Sequence, residues 1–209
     1  MIDKLHYISQ QSEQGTHVSN IKNVLEAGCK WVQLRVKNET EKYILETAIE
    51  VKEVCNYYGA RLIINDYPEI AVQAGAYGIH LGLEDMPVKE ARKIVGKKMI
   101  IGGTANTSEQ VLQRVSEGCD YIGLGPFRFT VTKEKISPVL GLRGYSLIME
   151  TLNLENIKVP VIAIGGILPD DISALRKTGV YGVAISSSLT RAANLSQVVK
   201  SIYGQINEC

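Results

Sequence analysis

Apolar positions along the chain fall into eight short runs separated by longer amphipathic stretches. The runs are LHYIS (5–9), WVQLRV (31–36), RLIIN (61–65), YGIHLG (77–82), MIIGG (99–103), DYIGLG (120–125), PVIAIGG (160–166) and YGVAIS (181–186). They are brief and rich in Ile and Val, as strands of a parallel sheet buried on both faces are. Between them, Ile44, Leu45, Ala48, Val51, Val54 and Cys55 share one face of a helix predicted over 41–57. Residues 169–178 open on Pro169 and two aspartates and are followed by Gly179, the start and stop signals of another helix. A last amphipathic helix is predicted over 189–206. No Pro/Ser-rich linker interrupts the pattern, so a single domain over residues 1–209 is expected. Strands alternating with helices predict an α/β fold, a (β/α)8 barrel. A doubly wound open sheet is the alternative. Its dinucleotide-binding form is weakened because no G-x-G-x-x-G follows the first strand.

In a (β/α)8 barrel the functional side chains lie at the C-terminal ends of the strands. The second run ends in Gln33, Arg35 and Lys37, which a period of two puts on one side of the strand. An amide and two cations there suit an anion with several oxygens. The third run ends in Asn65 and Asp66, and the fourth is followed by Glu84 and Asp85. Carboxylates bind anions poorly alone, but Asp66 and Asp85 could share a divalent cation with phosphate oxygens, as Mg2+ sites commonly do. The competing reading is that each aspartate caps the helix after it. The fifth run continues into Thr104, after Gly102 and Gly103, which permit a close backbone approach. The last two runs end in IGGI (164–167) and AISSS (184–188), small residues whose backbone N–H groups suit a phosphate. The stretch GPFRFTVTKEK (125–135) sets the Thr130 and Thr132 hydroxyls beside the Lys133 ammonium at the end of the sixth run. Two anion-binding regions follow, one cationic and metal-assisted, one neutral and backbone-lined, with this loop between them.

Charge excludes some partners. The 209 residues carry 23 Lys and Arg against 22 Asp and Glu, a formal net charge of +1, which supports neither nucleic-acid nor membrane-surface binding. The four cysteines form no C-x-x-C pair, so neither a disulfide framework nor a zinc site is indicated. The opening residues MIDKLHYIS hold no apolar leader, and no apolar run approaches ~18 residues, so a cytoplasmic protein acting on small molecules is expected. The sequence is compatible with a homo-oligomer and does not fix the oligomeric state. His80 has two readings, a structural histidine bonded to neighbouring backbone or a group near the carboxylates.

The elements VQLRVK, LIINDYPEIAVQAGAYGIHLGLEDMP, GCDYIGLGPFRFTVTK, VPVIAIGGI and GVAISSSL occur in the order found in thiamine phosphate synthases, which the chain resembles over most of its length. HLGxEDMP and GPxxxTxTK are the specific parts. The resemblance implies a (β/α)8 barrel that joins 4-amino-5-hydroxymethyl-2-methylpyrimidine diphosphate to a thiazole phosphate, or its carboxylated tautomer, releasing thiamine phosphate and diphosphate. It implies that Gln33, Arg35, Lys37 and Asn65 hold the pyrimidine diphosphate. Asp66 and Asp85 would bind magnesium, the one implied cofactor. Thr104 stands where a serine usually contacts the diphosphate. Thr130 and Thr132 would meet the thiazole substrate's phosphate or carboxylate, and Lys133 the diphosphate. Gly165, Gly166, Ile185 and Ser186 would enclose the thiazole phosphate. Arg35, Lys37, Thr104 and Lys133 are the candidate catalytic groups. Four positions depart from the family: Val36 for a glutamate, Leu83 for a glutamine, Thr104 for the serine and Asn106 for a histidine. Two rivals share the barrel, a thiazole tautomerase and a non-catalytic sensor of phosphorylated ligands.

Overall fold

The computed structural model describes residues 1–13, 15–129 and 138–207. Eight parallel strands close on themselves in sequence order: β1 (Leu5–Ile8), β2 (Trp31–Leu34), β3 (Arg61–Asn65), β4 (Gly78–Leu81), β5 (Ile100–Ala105), β6 (Tyr121–Leu124), β7 (Val161–Ile164) and β8 (Gly182–Ile185). The (β/α)8 barrel read from the sequence is therefore present, and the open sheet is not. Every strand falls on one of the predicted apolar runs, and only β5 extends past its run, by Thr104 and Ala105.

The connecting helices are α1 (His17–Glu26), α2 (Glu41–Tyr57), α3 (Pro68–Gln73), α4 (Val88–Val95), α5 (Ser108–Glu117), α6 (Gly141–Leu154), α7 (Ile172–Lys177), α8 (Ser187–Thr190) and α9 (Leu195–Asn207). Thr16, Thr40 and Thr107 cap α1, α2 and α5, each accepting a first-turn N–H at its hydroxyl. Two predicted helices differ in detail. The 169–178 segment begins as a turn of 3-10 helix over Pro169–Asp171 before α7. The single helix expected over 189–206 is two, the four-residue α8 and then α9. The apolar period continues across the break, which is why pattern alone joined them.

Alternation along each strand divides the core in two. Leu34, Ile64, Leu81, Leu124 and Ala163 face the helices and form the larger apolar layer with them. Ile8, Trp31, Ile63, Tyr121, Ile162 and Ala184 fill the barrel interior. Large rings inside need space opposite them. A Cβ at Gly102 would lie 2.1 Å from Tyr121 Cζ, and one at Gly123 would lie 2.9 Å from His80 Cε1. Gly102 and Gly103 were read from the sequence as permitting a close backbone approach. What approaches them is protein, since a Cβ at Gly103 would lie 2.7 Å from Cys119 Sγ. Cys29, Cys55 and Cys119 are unpaired and buried, and burial pushes each thiol up to about 12.

Gly102→Ala should destabilise the protein by about 1–3 kcal/mol, because the new methyl overpacks the Tyr121 ring. Chemical denaturation checks it, and an unchanged midpoint would mean the interior yields.

Candidate active site

The cleft at the C-terminal end of the barrel has a volume of about 150 Å³. One arc of its lining is polar: Gln33 on β2 and Arg35 just after it, Asn65 ending β3, His80 on β4 and Thr104 on β5. The opposite arc is small and largely main chain: Gly165 and Gly166 after β7, Ile185 ending β8 and Ser186–Ser188 after it. The period of two read from the sequence brings Gln33 and Arg35 to the cleft but not Lys37. Gln33 and Arg35 face the cleft, while Leu34 and Val36 pack into the helix-facing core.

Each polar group is held by neighbours. Gln33 Nε2 donates to Asn65 Oδ1 at 2.7 Å. The Arg35 backbone N–H donates to Ser9 Oγ at 3.0 Å, and that hydroxyl also bonds His17 Nδ1 at 2.8 Å. Burial lowers the His17 pKa, and the Arg35 charge lowers it further. Thr104 Oγ1 lies 3.0 Å from His80 Nε2. The helix after β5 is capped by Thr107, which leaves Thr104 on the cleft wall. Buried Arg114 clamps this side from behind, donating from Nε to Thr104 O at 3.2 Å and from its terminal nitrogens to Gly82 O at 2.7 Å and Glu117 at 2.9 Å. His80 bonds the side chains of Tyr121 and Thr104, so the reading that tied it to neighbouring backbone does not describe these contacts.

Lys37, Asp66 and Asp85 form a chain beside the cleft and are not part of its lining. Asp66 sits at φ 67°, a left-handed conformation that aspartate tolerates better than most residues. Its carboxylate is paired with Lys37 and hydrogen-bonded to Asp85. Asp85 Oδ2 also accepts the Gly82 N–H at 2.6 Å, an approach that needs glycine, because a Cβ there would lie 2.6 Å from the same oxygen. Neither aspartate caps a helix: the caps of α3 and α4 are Tyr67 and Pro87, without side-chain bonds. The capping alternative is thereby removed. Burial raises the Asp66 carboxyl to about 6, helped by the neighbouring Asp85 and opposed by Lys37. For Asp85, burial is outweighed by the hydrogen bonds from Asp66 and the Gly82 N–H and by the Lys37 charge, so its carboxyl is lowered. Among the described residues no three His, Cys, Asp or Glu converge as a metal cage. Two carboxylates crowded together, one raised by burial and by its neighbour, fit a hard divalent ion whose remaining ligands are water and substrate oxygens.

On the other arc, Gly165 and Gly166 have φ of 95° and 69°, and side chains there would strike Pro126 and Arg128. Arg128 bonds Asp171 through both terminal nitrogens at 2.7 and 2.8 Å and Gly166 O at 2.7 Å, tying the segment after β6 to the β7 loop. Ser186 Oγ donates to Ile8 O at 2.7 Å, and Ile185 packs into the outer core, so both offer the cleft mainly backbone. Thr130, Thr132 and Lys133 lie outside the described residues. The sequence reading missed Ser9 and Gln10, which line the cleft after β1, and Arg114 and Arg128, which brace it. The strand-end rule applied to the first run would have found the first two. The arginines carried no local signal, because their partners are distant in sequence.

Asp66 supplies a pH prediction. Its folded pKa is raised, so its contribution to stability is present below the unfolded value and lost as pH rises through about 6. Asp66→Asn should therefore gain stability relative to the parent between about pH 4 and pH 7 without metal. Thermal melts in chelator check this, and a constant difference across the range would refute the raised pKa.

The family model for thiamine monophosphate synthase matches residues 5–189. A thiamine-phosphate synthase of Flavobacterium psychrophilum is 48% identical over 97% of this chain and 98% of its own. Its counterpart in Flavobacterium johnsoniae is 50% identical over 100% and 96%. The solved thiamine phosphate pyrophosphorylase of Pyrococcus furiosus superposes with a TM-score of 0.86 at 30% identity, covering 98% of this chain and 96% of that one. On the whole-length match, the chain is an enzyme, a transferase belonging to the thiamine monophosphate synthase family.

Proposed function

We propose that the chain joins 4-amino-5-hydroxymethyl-2-methylpyrimidine diphosphate to a thiazole phosphate, or its carboxylated tautomer, yielding thiamine phosphate and diphosphate. The observation that carries the reading is the two-sided cleft, with Gln33, Arg35, Asn65 and Thr104 on one arc and the glycine and serine backbone of the β7 and β8 loops on the other. Two phosphorylated reactants fit such a division.

In the proposed reaction the bond from the pyrimidine methylene to the diphosphate oxygen breaks, and diphosphate leaves with the electron pair. The aminopyrimidine spreads the positive charge left on the methylene. The thiazole nitrogen then attacks that carbon and forms the new C–N bond. With the carboxylated tautomer, carbon dioxide is lost as well. The thiazole nitrogen is already a nucleophile, so no protein nucleophile is required. The protein's share is to align the methylene carbon with the thiazole nitrogen and to stabilise the departing charge.

Arg35 would form charge-assisted hydrogen bonds to the leaving oxygens, with Lys37 and Lys133 as further cations. Asp66 and Asp85 would hold Mg2+, which when bound neutralises charge on the diphosphate. Lys37, paired with Asp66 in the free protein, would offer its ammonium to a substrate oxygen. Gln33 and Asn65 would fix the pyrimidine, and Thr104 would donate to the diphosphate. Thr130 and Thr132 would face the thiazole substrate, whose phosphate would rest on the main chain of Gly165, Gly166, Ile185 and Ser186. A tautomerase would need an acid–base group where Asn106 stands. That amide instead donates to the Gly125 carbonyl.

Purified protein given both substrates and Mg2+ should form thiamine phosphate, and EDTA should abolish it. Absence of product while thiazole phosphate still binds would favour the tautomerase or the sensor. Arg35→Ala and Lys133→Ala should each lower kcat by about a hundredfold or more with folding intact, the scale of losing a donor to developing charge. Normal turnover in either would remove it from the catalytic set. Asp85→Asn should raise the Mg2+ concentration for half-maximal rate, and an unchanged titration would take Asp85 out of the metal site.

A further inference from the structure

A run of hydrogen bonds climbs through the barrel interior to the cleft. Tyr121 Oη on β6 lies 3.1 Å from His80 Nδ1 on β4, and His80 Nε2 lies 3.0 Å from Thr104 Oγ1 on β5. Tyr121 is 1% exposed, and among the described residues its hydroxyl bonds only His80. Gly102 and Gly123 leave the space that the two rings occupy.

A buried phenol proton needs an acceptor. If His80 carried its proton on Nδ1, that nitrogen would donate to Tyr121 Oη and orphan the phenol proton. A doubly protonated ring would orphan it too. With Nδ1 bare, Tyr121 donates to it, Nε2–H donates to Thr104 Oγ1, and each interior proton has an acceptor. The one proton left over is that of the Thr104 hydroxyl, on the wall of the cleft. The opposite tautomer would turn the Thr104 proton back toward His80. Only oxygen lone pairs would then face the cleft, and these repel a phosphate oxygen. Burial also raises the Tyr121 pKa far above its ordinary value, so the phenol stays a donor.

We propose that Tyr121 is a positioning residue: it fixes His80 as the Nε2–H tautomer and so presents Thr104 as a hydrogen-bond donor to an anionic substrate oxygen. Assigning that oxygen to the diphosphate rests on the synthase reading, whereas the tautomer does not.

The chain has three histidines, which makes the imidazoles separable in long-range 1H–15N correlation spectra of labelled protein. Near neutral pH the free protein should show His80 protonated at Nε2 and bare at Nδ1. Tyr121→Phe keeps the ring and deletes the hydroxyl. It should move part of the His80 population to Nδ1–H and lower kcat/KM for the pyrimidine diphosphate about tenfold, the scale of one hydrogen bond. The KM for thiazole phosphate should not move. A wild-type ring protonated at Nδ1, or at both nitrogens, overturns the proposal. So does a folded Tyr121→Phe protein whose His80 tautomer is unchanged. The wild-type spectrum decides the tautomer even if the variant fails to fold. An Nε2–H ring in a protein that makes no thiamine phosphate would sink the synthase reading and leave the tautomer assignment standing.

Discussion

Closure of eight parallel strands is the constraint on which the rest of the molecule depends. Each strand must send alternate side chains outward to the helices and inward to a narrow interior. The outward layer tolerates any well-packed aliphatic side chain. The inward layer does not, because rings from one strand meet backbone from its neighbours. Tyr121 fits because Gly102 faces it, and His80 fits because Gly123 does. The same inward positions, one step further along their strands, carry Asn65, Thr104 and Gln33 to the cleft. The site is thus the top layer of the packed interior, and its geometry is inherited from the packing beneath it.

Electrostatics divides that layer. The arc after β2 to β5 concentrates charge and hydrogen-bonding side chains, and the arc after β7 and β8 offers mostly main chain. Two carboxylates, Asp66 and Asp85, are crowded against one another and against Lys37. Such crowding costs stability in the free protein, and sites that bind cations or move charge tolerate that cost. Arg114 and Arg128 perform a different task. Each ties a cleft-bearing loop to a more distant segment, Arg114 at Gly82 and Thr104, Arg128 at Gly166 and Asp171. Loops braced this way can hold groups in place before substrate arrives.

Most of the fold could be read in the residues. All eight strands overlap runs whose length and apolarity mark them, because a strand buried on both faces has no polar side to show; only β5 extends past its run, by Thr104 and Ala105. The helix over 41–57 was equally plain, since Ile44, Ala48, Val51 and Cys55 repeat on one face. The break between α8 and α9 was not, because an apolar period survives a short turn. Much of the polar arc was legible too: Gln33 and Arg35 share a strand side, and Thr104 directly continues an apolar run. Ser9 and Gln10 were overlooked only because the strand-end rule was not carried to the first strand.

The sequence by itself determined the barrel, the strand ends where chemistry gathers and the family to which the motifs belong. These follow from local periodicity and from residue types at fixed spacing. Only the tertiary structure decided what pairs with what. It showed that Asp66 and Asp85 meet each other and cap nothing, and that Gly102 makes way for Tyr121. It showed that Ser186 turns its hydroxyl to β1, and that a buried tyrosine reaches Thr104 through His80. These contacts join residues on, or just after, different strands. Their distances are set by barrel closure, and no period along a single chain records them.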